Sequence, residues 1–151
     1  MKALLIVLLC ASPASAQSQV RPWADWTSYG TAAINPTIAF VDAWQSSDQP
    51  CRLKRLALSE AVGNGLALTL KHFVVSPRPC LGCAPDGFPS GHTMNSTIGM
   101  SAKNWQFGLG VAVLTGGLRM TANRHTPRQA AAGLFLGLGA EAVGHVLFRC
   151  Q

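Results

Sequence analysis

Helix-breaking residues cut the chain after Pro50 into apolar segments of helical length and period, and few folds accommodate that pattern. Leu53, Leu56, Leu58, Val62, Leu66, Leu68 and Leu70 recur near helical spacing, so a helix is expected over residues 52–70, closed off by Pro77 and Pro79. A Gly- and Pro-rich loop over 80–88 leads to an expected helix over 91–102. Lys103-Asn104 turns the chain into a glycine-studded helix over 105–118. Thr126-Pro127-Arg128-Gln129 has the form of a capping box and opens a last helix running to about Phe148. Upstream, Asn35 reads as an N-cap with Pro36 at the first helical position, starting a helix that reaches about Trp44. No segment alternates with a period of two. The expectation is an all-α, compact bundle of about five helices.

The 151 residues suffice for one core. Met1-Lys2, an apolar run from Ala3 to Ala11 and the Ala14-Ser15-Ala16 end describe a secretory signal peptide over residues 1–16, cleaved after Ala16. The chain then divides into an N-terminal helical segment over 17–50 and a helical core over 51–151, within a single domain over 17–151. Cys51, Cys80, Cys83 and Cys150 remain, an even number that favours disulfides in an exported protein. Cys80-Leu81-Gly82-Cys83 could be half a zinc site or a redox pair, but there is no second CxxC and no thioredoxin-like βαβ context. The expected location is the periplasm or the exterior. The alternative is the inner membrane, facing the periplasm.

A bilayer span needs about 20 apolar residues, and only the last expected helix is long enough. That helix carries Glu141 and His145, which favours a soluble or peripherally attached bundle over a polytopic one.

Charge is distributed unevenly. Lys71, Arg78, Lys103, Arg119, Arg124 and Arg128 face a single anion, Asp86, whereas the rest of the mature chain balances. A local cationic excess calls for an anionic partner. Nothing interleaves basic and aromatic residues as a nucleic-acid surface would, so nucleic acid is not expected.

Short connections make successive helices alternate in direction. Lys71 and Arg78 then arrive at the end where Ser90, Gly91 and His92 begin their helix, where Arg119 ends the next one, and where His125 precedes the last. Three cations, two histidines and two helix N-termini at one end suit a tetrahedral dianion. The same arrangement puts Cys51 and Cys150 together at the opposite end and leaves Cys80 with Cys83 in the loop.

Lys71 followed after six residues by Arg78-Pro79, then Pro89-Ser90-Gly91-His92, then Arg119 followed after five residues by His125, resembles the three-part signature of the phosphatidic acid phosphatase type 2 superfamily. That superfamily also includes bacterial acid phosphatases and vanadium haloperoxidases. The resemblance covers roughly Leu56 to Gly139. It implies that Lys71, Arg78 and Arg119 hold phosphoryl oxygens, with hydrogen bonds added by Ser90 and the Gly91 backbone. His125 would be the nucleophile, and His92 would protonate the leaving oxygen and later activate water. The cations are side chains, so neither a metal nor another cofactor is implied. Two positions depart from the pattern: Leu118 replaces a Ser, and Gln129 replaces the Asp that orients the nucleophilic His. A Gln can still fix an imidazole tautomer, or it can serve the capping box; it cannot easily do both.

The remaining candidates read as structural. His72 is expected in solvent or loop packing, His145 with Glu141 as an i,i+4 pair, Asp86 as a solvated loop acid in preference to a restraint on a cation, and Arg124 and Arg128 as solvated or as widening the anion site. Trp23, Trp26 and Trp44 read as core or rim residues, or as a seat for a lipid chain. The functional expectation is an exported, metal-independent phosphatase acting on a phosphomonoester or diphosphate, small or lipid-linked, through phosphohistidine, with peripheral membrane contact left open. The alternative is a non-catalytic binder of phosphate or lipid headgroups, weakened by Gln129.

Overall fold

Five helices follow one another in the computed structural model, which describes residues 19–150. They are α1 Pro22–Gln45, α2 Gln49–Phe73, α3 Gly91–Asn95, α4 Trp105–Thr121 and α5 Pro127–Leu147, with no strand among the described residues. The all-α expectation holds. The leader expected over residues 1–16 lies outside the described residues.

Two boundaries differ from expectation, for identifiable reasons. α1 is continuous through Pro36, and Asn35 is not a cap. Its side chain is 2% exposed and donates to the Ser96 carbonyl at 2.6 Å and the Gly108 carbonyl at 2.8 Å. These bonds pin the middle of α1 to two other elements, against which the one backbone bond that Pro36 removes is a small loss. The third helix is the reverse case. α3 stops at Asn95 because the Ser96 and Thr97 hydroxyls both donate back to the Thr93 carbonyl at 2.8 Å. Gly99 then takes φ +82°, where a Cβ would stand 2.8 Å from the Asn35 carbonyl oxygen. The glycines of α2, by contrast, leave that helix unbroken.

α3 and the turns after it occupy the centre, in contact with all four long helices. α1 packs chiefly on α4, and α2 on α5. The core is built from small residues. Ala24, Ala67, Ala112, Ala130 and Ala140 are buried, and Met94 and Ile98 are the largest fully buried side chains. Glycine permits the close approach: a Cβ at Gly137 would lie 2.6 Å from the Met94 carbonyl oxygen, and one at Gly63 2.7 Å from the Met94 sulfur.

The large apolar side chains point outward. Trp23, Trp26, Phe40, Trp44, Trp105, Phe107 and Phe135 are all exposed, Trp26 by 76%. Of the expected places for Trp23, Trp26 and Trp44, the core is excluded, and a rim or a lipid seat remains. Trp23 and Trp26 lie at one end of the bundle, and Trp44 and Trp105 start or finish their helices at the other. Charge is sorted to the same two ends. α1 has none between Asp25 and Asp42, α4 none before Arg119, and α5 none between Arg128 and Glu141; α2 carries only Glu60 between Arg55 and Lys71. α5 is long and apolar enough to cross a bilayer.

Cys51–Cys150 and Cys80–Cys83 are both bridged, which suits an oxidising compartment. At the Cys51–Cys150 end, Glu141 and His145 pair across one turn at 3.7 Å, and Ser101 bonds to both. The expected i,i+4 pair is present, far from the candidate site.

Candidate active site

The site is assembled at the end where α2 and α4 finish and α3 and α5 begin. The loop over 74–90 is held in shape by backbone bonds from Ser76 N to the Pro85 carbonyl (3.0 Å) and from Gly87 N to the Ser76 carbonyl (2.8 Å), and by the Cys80–Cys83 bridge. Within it Asp86 is not a solvated acid, as expected, but a clamp. Its carboxylate accepts from Arg78 Nε at 3.0 Å and pairs with the same guanidinium at 2.9 Å, while its carbonyl accepts from Lys71 Nζ at 2.5 Å. Two of the three expected phosphate-holding cations are thus fixed by one residue.

Arg119 is 3% exposed, at the last turn of α4. It donates through one terminal nitrogen to Asp25 Oδ1 (2.5 Å) and Ser28 Oγ (3.1 Å) of α1. Arg124, partly exposed, pairs with the other Asp25 oxygen at 2.7 Å. The Nε of Arg119 is buried without a partner. Tyr29, one turn beyond Asp25, lies between Arg119, whose guanidinium carbon is 5.9 Å from its ring centre, and His92, whose ring meets it edge-on at 4.3 Å. Asp25, Ser28 and Tyr29 were not singled out from the sequence. Their spacing on α1 does not set them apart, because that helix also carries Thr27, Thr31, Asn35 and Thr37.

Both histidines are held neutral. Burial, reinforced by Arg119, Arg78 and Lys71, pushes His125 down to about 3. Burial and Arg119 push His92 down to about 4 against the opposing pull of Asp25. The same three cations act on both rings. His125 Nδ1 lies 2.9 Å from the Gly87 carbonyl oxygen. A carbonyl only accepts, so Nδ1 carries the proton and Nε2 keeps its lone pair free.

Ser90 is fully buried and caps α3, accepting from Thr93 Oγ1 at 3.0 Å, while its backbone N–H donates to the Gln129 carbonyl at 2.9 Å. A Cβ at Gly91 would meet nothing within 4 Å, so packing within the protein does not demand a glycine there.

Gln129 does not touch His125 as an orienting residue would. Its Oε1 accepts from Thr126 N at 2.9 Å, completing the capping box, and its Nε2 donates to Ser76 Oγ at 2.8 Å and the Pro77 carbonyl at 3.0 Å. It therefore anchors the loop whose Gly87 carbonyl fixes the imidazole. Gly87 is packed so closely on the Gln129 amide that a side chain would collide with it. His72 is exposed against Phe73 and stands apart from the site.

No family model, curated protein or solved structure gives a significant match to the chain.

Proposed function

We propose that this chain is an exported phosphatase that hydrolyses phosphoric esters through a phosphohistidine on His125, as its likeness to the phosphatidic acid phosphatase type 2 superfamily implies. The observation that carries the reading is the unpartnered Nε of buried Arg119, beside two neutral imidazoles that feel Arg119, Arg78 and Lys71 together. An unsatisfied buried cationic donor is costly, and a phosphoryl dianion supplies both the acceptor and the counter-charge. The open space over Gly91 leaves room for its oxygens.

In the first step the substrate, bound as its monoanion, gives its proton to His92; the Nε2 lone pair of His125 attacks phosphorus, the ester P–O bond breaks, and that proton passes from His92 to the leaving oxygen. The bound dianion offsets the three cations and so restores the basicity of His92. In the second step His92 takes a proton from water as the water oxygen bonds to phosphorus. The P–N bond breaks and inorganic phosphate leaves. The three cations stabilise the equatorial charge in both steps.

The exposed apolar belt supports a bilayer location over a freely soluble one. Small residues inside, large apolar residues outside, tryptophans at both ends and charge sorted to the ends are what hydrocarbon selects. The site then lies at the membrane surface, in reach of a lipid-linked phosphate.

Mixing the detergent-solubilised protein with phosphatidate or an aryl phosphate and quenching in base should trap acid-labile phosphate on His125, lost in His125→Ala. Retained binding of inorganic phosphate, with no trapped intermediate and no phosphate release, would assign the chain to the non-catalytic binders.

A further inference from the structure

Glu60 breaks the sorting of charge. It sits half-buried in the middle of α2, at a level where the other long helices carry no charge. An ionisable group in such a band marks a functional position unless a partner neutralises it. Among the described residues, the side chain that bonds it is neutral: Asn64, which donates to it at 2.9 Å.

Glu60 lines a cavity of about 430 Å³ between α1, α2 and α3. His92 and Tyr29 line the same cavity. Pro36, two turns further along α1, lines it too and with two alanines makes the wall apolar. Asn95, one turn beyond His92 on α3, completes the lining, and its side-chain oxygen is buried without a partner. The space adjoining the imidazole that would protonate the leaving oxygen is therefore apolar along α1. On its other side it presents a carboxylate and an orphaned amide oxygen.

Resting on the phosphatase reading above, we propose that this cavity receives the leaving group, and that Glu60 selects it. The favoured leaving group is an apolar alcohol with a hydroxyl or N–H donor close to the ester, which Glu60 and Asn95 accept. A leaving group that is itself anionic, as in a diphosphate, meets the Glu60 carboxylate and is disfavoured.

The test compares dodecyl phosphate, 2-hydroxydodecyl phosphate and dodecyl diphosphate with the full-length protein in detergent micelles. The expected kcat/KM is about tenfold higher for the hydroxylated monoester than for the plain one, the effect of one hydrogen bond to a charged group. Glu60→Leu should cut that ratio to about threefold or less. Glu60→Gln should raise the diphosphate about tenfold relative to dodecyl phosphate. That gain cannot come from a misfolded variant. Ratios that stay at wild-type values in both variants overturn the proposal. A wild-type protein that releases phosphate from dodecyl phosphate, dependent on His125, without preferring the hydroxylated ester overturns the cavity assignment alone. Failure to release phosphate from any of the three overturns the phosphatase reading and the assignment with it.

Discussion

The two imidazoles set how the site responds to pH. On the phosphatase reading His125 attacks only when neutral, so activity should be lost as pH falls through about 3, and His92 takes up its own proton in the empty site near 4. Because both rings are neutral above those values, the proton for the leaving group enters with the substrate monoanion, whose second ionisation lies near pH ~6. A kcat/KM profile with its maximum between about 4 and 6 is expected, falling on the alkaline side with the substrate's ionisation. Stability follows the same groups. An unfolded histidine binds a proton below 6.5, and these two do not until about 4 and 3. Between pH about 4 and 6.5 the unfolded chain therefore holds more protons, so the melting temperature should fall as pH drops through that window. Lys71, Arg78, His92, Arg119 and His125 could be found from their spacing because motif residues sit at helix ends that short loops bring together. Asp25 and Tyr29 could not, because their partners lie 94 and 63 residues away and depend on how α1 docks.

At the scale of the element, α3 shows where helical periodicity misleads. Residues 91–102 look like a helix, yet the Ser96 and Thr97 hydroxyls bond back to the Thr93 carbonyl and Gly99 turns left-handed, diverting the chain after one turn in a way the apolar period does not register. The diversion matters because α3 carries His92 and must be seated closely on α5. Gly133 is the seat: a Cβ there would collide with the Ser90 carbonyl, which is backbone and cannot swing aside. Gly133→Ala should cost about 2 kcal/mol in thermal unfolding. It should also depress kcat beyond what the stability loss explains, since it displaces Ser90 and His92 together. Gln129 belongs to this scale as well. The sequence offers it two roles, cap or orienter. In the fold it is the cap and also the tie to Ser76 and Pro77, and it reaches His125 only through the loop it holds.

Across the whole molecule, the balance of small interior and large exterior residues supports the proposed bilayer location. Span length in the sequence favours a soluble or peripheral protein, because only α5 is long and apolar enough by itself. Which face of each helix is apolar becomes visible only after packing, when Ala and Gly turn inward and Trp, Phe and Leu outward. Helices of 17 to 25 residues, at about 1.5 Å each, match a hydrocarbon layer of about 30 Å. The protein should stay in the membrane pellet after high-salt and alkaline washing and be released by detergent. Recovery in the aqueous supernatant without detergent would return it to the soluble class.

The bond between Cys51 and Cys150 closes everything from α2 to the end of α5 into a covalent ring. Every residue assigned to hold phosphate or move a proton belongs to that ring. α1 lies outside it, an arm laid across the ring, and supplies Asp25, Tyr29 and the apolar wall beside Glu60. On the proposed reading the ring carries both the reacting groups and Glu60, while the separately connected arm forms the apolar side of the leaving-group cavity. A change confined to the arm would then alter which apolar chain fits and leave the reacting groups and the acidic selector in place.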